Sequence, residues 1–169
     1  MTMGERALWK EVKGQREDWV GLSGADVVAM LGLEPLPEEG GMWREVWRDE
    51  ESTAIYFLLQ PGDFSAMHRL DGPELWHHYA GAAVEMLLLG SDGSVEQPLL
   101  GDDLAAGERP CVVVPAQTWM GAATRDEWSL MGTTMAPPYH HDGFELGDGD
   151  ELASQYPTAA AEIAKLVRP

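Results

Sequence analysis

His68, His77 and His78, three of the chain's five histidines, stand in the stretch GDFSAMHRLDGPELWHHYAG (62–81), with Glu74 between the first and the other two. These residue types do two kinds of chemistry. Imidazole nitrogens and a carboxylate together bind a divalent transition ion such as Fe, Mn, Ni or Zn. Without a metal, a histidine beside a glutamate in an apolar enclosure is a proton-transfer pair: burial raises a carboxyl's pKa, a charged partner lowers it, and imidazole titrates near neutrality. Such a pair removes a proton next to a carbonyl, the core step of epimerases, isomerases and many lyases. The third reading is that the histidines are ordinary strand residues.

Spacing sorts them. In an extended segment Glu74, Trp76 and His78 share one face and His77 takes the other, so His77 is read as structural. Glu74 and His78 are then about 13 Å apart along the strand, too far to share one ion unless the strand bulges. His140 and His141 follow Pro137-Pro138-Tyr139 in a loop that can fold over the mouth of a site or stand solvated.

The elements that must position these residues are mostly β. From residue 42 to about 135 the chain reads as short runs, MWREVW, STAIYFLL, SAMHRL, ELWHHY, AVEMLLL, CVVVP, TWMGAA and WSLMGTTM. Turn signals such as PGD, LDGP, SDG and AAGERP separate them, a pattern that predicts an antiparallel sandwich or barrel. Before it, LSGADVVAMLGLEP predicts a short helix capped by Ser23, with Asp26 in its first turn and Val27, Val28, Met30 and Leu31 as its apolar face; Gly32 and Pro35 end it. PLPEEGG reads as a turn-rich connector. Residues 157–167, PTAAAEIAKLV, predict a terminal helix. Residues 1–20 are polar without a clear period and read as an N-terminal extension, leaving 21–169 as a single domain.

Composition narrows the function classes. Eleven basic against 29 acidic residues give a formal charge of −18. Such a surface repels phosphate backbones and anionic lipid, so neither nucleic acid nor membrane is an expected partner. The single cysteine, Cys111, permits no intrachain disulfide or thiolate cluster; it opens the apolar run CVVVP and reads as a buried packing residue. There is no apolar run of membrane-spanning length and no signal-peptide pattern, so a cytoplasmic protein is expected.

Gly62, His68, Glu74 and Gly81 fit the spacing of the first cupin motif, in which a glycine, His-x-His, a glutamate and a second glycine recur. STAIYFLL, DGPELWHHYAG, LGDDLAAGERPCVVVPAQTW and MAPPYHHDGFEL extend the match, and over residues 29 to 157 the chain resembles the DUF985 (cupin_5) family. The resemblance implies a double-stranded β-helix, the cupin jelly roll, with short helices at both ends, and a homodimer. Two positions depart from the superfamily's metal pattern. Leu70 stands at the second histidine of His-x-His. The second motif reads Pro115-Ala116-Gln117-Thr118-Trp119-Met120, with Met120 at its histidine and Gln117 at its turn glycine.

The expected site is therefore a small-molecule pocket inside the barrel. His68 and Glu74 are its candidate catalytic pair, with Tyr56 and Tyr79 as partner acids. Trp76, His78, Trp119 and Met120 are candidate substrate-binding residues, Trp76 and Trp119 by stacking on a ring. Arg69 is a candidate anchor for an anionic group, although alternation sets it opposite His68. The best single reading is an isomerase, epimerase or lyase working by acid/base chemistry. The alternatives are a metal-dependent oxygenase, whose one divalent transition ion His68, Glu74 and His78 would hold, and a binding module without turnover.

Overall fold

Among the described residues, eight strands form where the sequence places β runs, and four short ones join them. The computed structural model describes residue 19 and residues 21–168; apart from Trp19, the expected extension at residues 1–20 lies outside the described residues. Helix α1 (Gly24–Leu31) opens the chain. It is followed by β1 (Glu34–Pro35), β2 (Met42–Arg48), β3 (Thr53–Leu59), β4 (Phe64–Leu70), β5 (Glu74–Gly81) and β6 (Val84–Leu89). Then come β7 (Val95–Glu96), β8 (Leu99–Leu100), β9 (Cys111–Val114), β10 (Trp119–Thr124), β11 (Ser129–Met135) and β12 (Phe144–Leu146). Helices α2 (Gly149–Gln155) and α3 (Ala160–Ile163) close the fold.

The strands build two antiparallel sheets, one in the order β1-β2-β3-β11-β5-β9, the other β12-β4-β10-β6-β7 with β8 also on β6. Strands adjacent in a sheet are often distant in sequence, as in β3-β11-β5 and β4-β10-β6, and this is the jelly-roll arrangement the resemblance implies. The inner faces meet in one core that includes Phe57, Trp76, Val84, Leu88, Met120 and Met131. Alternation explains why one strand supplies two cores. Phe57 and Leu59 point inward, while Leu58 points out to a second cluster with Val27, Leu130 and Trp128 under α1. On the far side, Met67, Leu87, Leu89 and Trp119 pack beneath Leu152 and Ile163 of the C-terminal helices.

Helix α1 has the expected start: Ser23 and Asp26 form a reciprocal capping box, and Gly32 ends it in the left-handed region at φ 63°. Its buried face is narrower than the pattern suggests. Val27 is buried and Val28 and Leu31 pack at the margin, but Met30 is 71% exposed because one turn of contact is all the sheet offers. The terminal helix expected over 157–167 is also different. A 3-10 turn spans Pro157–Ala159 and the α-helix stops at Ile163. The longer helix is α2, whose N-cap Asp148 accepts from the backbone N–H groups of Asp150 and Glu151.

Candidate active site

His68 and Glu74 sit on different sheets and are brought to one cavity by the closure of the barrel. His68 lies on β4, opposite Met120 of β10 and Leu146 of β12. Glu74 starts β5, opposite Met135 of β11 and Val114 of β9. Between them lies a cavity of about 310 Å³. Leu36, Trp43, Ile55, Leu70, Met135 and Phe144 give it apolar walls. The exposed Glu38, Glu45 and Arg48 and the mostly buried Glu39 also line it, and Thr133, Tyr139 and His141 complete the polar lining.

His68 is 2% exposed, and its Nδ1 lies 2.7 Å from the Ala66 carbonyl oxygen. A carbonyl only accepts, so Nδ1 carries the proton and donates it there. In the neutral ring Nε2 then bears the lone pair. Glu39 Oε2 stands 3.9 Å from Nε2, past hydrogen-bonding distance but close enough to stabilise an imidazolium. The other Glu39 oxygen accepts from Ser65 Oγ at 2.7 Å, and the Glu39 carbonyl accepts from the Ala66 N–H, so β4 fixes both ends of this residue.

Glu74 is buried, and its Oε2 accepts from Trp76 Nε1 at 2.8 Å. Burial pushes its carboxyl up to about 7; a protonated His68 pulls it down, Glu39 pushes it further up, and hydrogen bonds from Thr133 and Trp76 pull it down. Near neutral pH the group is thus divided between acid and carboxylate. Tyr139 at the cavity edge is raised above the usual phenol range by burial and by the charges of Glu39, Glu38 and Glu74, so it stays a donor. The loop carrying it also stacks rings: Phe144 lies 5.3 Å from His68, and His141 lies 6.0 Å from Phe144.

The remaining candidates are distributed elsewhere. Trp76 is core beneath the cavity, edge-on to Phe57 at 5.7 Å, and its part in the site is the hydrogen bond to Glu74. Met120 is buried in the same core beside His68. His78 shares the inward face with Met131, away from the cavity lining, and its Nε2 lies 3.2 Å from the Ala82 carbonyl. Strand β5 does bulge, but the extra residue is Tyr79, beyond His78, so the bulge does not bring His78 back to Glu74. Tyr56 and Tyr79 face the outside of the first sheet, edge-to-face at 6.2 Å, with Tyr79 51% exposed. Trp119 packs under the C-terminal helices, and Arg69 lies over its ring at 4.6 Å while pairing with Glu145 at 2.6 Å. His140 is exposed off the cavity, His77 reaches Thr134 Oγ1 at 3.3 Å on the outer face, and Cys111, expected in the packing, is exposed at the start of β9, where alternation turns Val112 and Val114 inward instead.

Glu39 is the site residue that sequence reasoning missed. Its segment, PLPEEGG, carried only turn signals, and nothing local says that this turn is laid against β4. Arg48, Tyr139 and Phe144 also line the cavity without a local signal in the sequence.

Among the described residues no three His, Cys, Asp or Glu side chains converge to hold a metal ion. His78 is off the cavity and the last motif position is a thioether, so the donor set does not fit the ion that the superfamily pattern implies. No described helix is long and apolar enough to cross a membrane.

Comparison with known proteins agrees with this architecture. No curated protein sequence matches the chain. A protein from Shewanella oneidensis superimposes with a TM-score of 0.82 at 36% identity, over 88% of this chain and 99% of its own. A hypothetical protein from Leishmania major gives the same TM-score at 24% identity, over 88% and 100%. Bacillus subtilis oxalate decarboxylase, described with Mn(II) centres, shares the fold at 14% identity and a TM-score of 0.55, over 79% of this chain and 37% of that one. The family model for Cupin_5, the cupin superfamily family DUF985, matches residues 25–147, most of the chain, and the protein belongs to that family.

Proposed function

We propose that the protein is an enzyme that moves a proton on a small organic molecule, an isomerase, epimerase or lyase, with His68 and Glu74 as its acid/base pair. The observation that carries this is the pairing, in one apolar cavity, of an imidazole whose Nε2 lone pair is set by the Ala66 carbonyl with a carboxyl raised to about 7. His68 Nε2 takes the proton from a carbon next to a carbonyl. The imidazolium so formed is stabilised by Glu39, and protonated Glu74 donates to the developing oxyanion or to the neighbouring carbon. A group that titrates near the working pH serves both directions of transfer. The apolar walls exclude water, which strengthens each of these interactions.

The metal-dependent oxygenase finds no support in the donor set. A binding module without turnover is separated by experiment. Solvent-deuterium incorporation into a panel of small ketones, 2-oxo acids and amino ketones, followed by proton NMR, is the direct test. Exchange that falls at least about 100-fold in both His68→Gln and Glu74→Gln is the expected result. Exchange that persists in either variant, or a Glu74 carboxyl that titrates in its ordinary range by carbon-13 NMR, overturns the reading.

A further inference from the structure

The cavity's charges are one-sided. Four carboxyl groups line it, Glu38, Glu39, Glu45 and Glu74, against a single guanidinium, Arg48. That guanidinium is already committed. Its Nε and Nη2 each lie 2.9 Å from Glu45 Oε2, and its Nη1 donates to the Tyr139 carbonyl at 3.0 Å. Once Glu45 and Arg48 are paired off, exposed Glu38 has no cation partner among the described residues, Glu39 has only the Ser65 hydroxyl and the His68 ring 3.9 Å away, and no lysine lines the wall. An anionic ligand would meet both carboxylates in an enclosure of low dielectric, where repulsion is strong. A second and independent feature points to a ligand. His68 is 98% buried and lines the cavity, and among the described residues its Nε2 makes no hydrogen bond, Glu39 Oε2 standing off at 3.9 Å. Trp43 and Tyr139 add aromatic surface to the same wall, the surface that attracts cations through the ring quadrupole.

We propose that the ligand of this cavity carries a positively charged nitrogen: a small ammonium or trialkylammonium compound, with Glu38 and Glu39 balancing its charge and Trp43 and Tyr139 contacting its alkyl groups. This rests on the acid/base reading in one respect, that the same molecule presents its reactive carbon to His68. The ammonium group has a chemical use there. It makes a neighbouring C–H more acidic, and Glu38 balances its charge when the proton has moved and Glu39 faces the imidazolium.

The test uses matched pairs that differ only in charge: choline against 3,3-dimethyl-1-butanol, benzylamine against benzyl alcohol, and 3,3-dimethylbutanoate as the anion. Calorimetry on the full chain is expected to show each cation binding about tenfold or more tighter than its neutral partner, with the anion weakest. Glu39→Gln is expected to reduce that preference about threefold or more, and Glu38→Gln, at an exposed position that folding tolerates, to reduce it in the same direction. Equal affinity within the pairs, preference for the neutral or anionic member, or no cation binding up to millimolar concentration overturns the proposal. His68→Gln separates the two readings. It should abolish deuterium exchange and keep the preference for cations. A charge preference without exchange sinks the acid/base reading alone, and exchange without charge preference sinks this one alone.

Discussion

Glu74 shows how one side chain acquires its chemistry from its surroundings. In water its carboxyl would be ionised at neutral pH; inside the barrel, desolvation outweighs the His68 charge and the Trp76 hydrogen bond, and the group titrates near 7. The linkage has a definite sign. The folded-state pKa lies above the ordinary carboxyl value of 4.5, so the protonated form is the one the fold prefers. The contribution of Glu74 to stability is complete below about pH 4.5 and is lost as pH rises through about 7. Glu74→Gln keeps a neutral side chain at every pH. Its stability relative to the wild type should therefore rise between about pH 5 and pH 8, by up to about 3 kcal/mol. Urea denaturation at the two pH values measures this, and a difference that does not change with pH would refute it. Trp76 was expected as a stacking platform and instead supplies Glu74 with a hydrogen-bond donor from within the core.

Strand β5 carries the motif's final glycine, and its geometry explains the residue type. Gly81 has φ 87°, and a Cβ there would lie 2.1 Å from the Trp128 carbonyl oxygen. Any other residue would combine a left-handed backbone with a clash against Trp128, the residue that leads into β11, whose far end pairs with Glu74. Gly81→Ala should cost about 3 kcal/mol. Thermal denaturation reads the loss, and a change below about 0.5 kcal/mol would show that β11 shifts freely. The β runs were legible in sequence because turn residues bounded them and because both faces of most strands are apolar. The four short strands were not, being two or three residues long. Strand β12 exists because Phe144–Leu146 pairs with Leu70–His68, a partner more than seventy positions away. Local propensity contains no information about that pairing.

At the scale of the whole molecule, the charge of −18 is the dominant long-range term. Self-repulsion on that scale opposes compaction, and added salt screens it. Raising ionic strength from about 0.01 M to about 0.15 M shortens the Debye length from about 30 Å to about 8 Å. The melting temperature should rise by a few degrees over that range, with sodium chloride as the test salt. A fall would mean that attractive surface pairs such as Arg125–Glu85 outweigh the repulsion.

The sequence by itself determined the strand runs, the capped helix and the family, and its motif spacing singled out His68 and Glu74, because each is written in local periodicity or fixed spacing. It also marked Leu70 and Met120 as breaks in the metal pattern. Only the tertiary structure decided what surrounds that pair. It put Tyr56, Tyr79 and Arg69 on outer faces, kept His78 away from Glu74, and brought Glu39 from a turn to within 3.9 Å of His68. The physical reason is that alternation along a strand says which residues share a face. Which face closes over the cavity, and which distant loop lines it, depends on pairings between segments far apart in the chain.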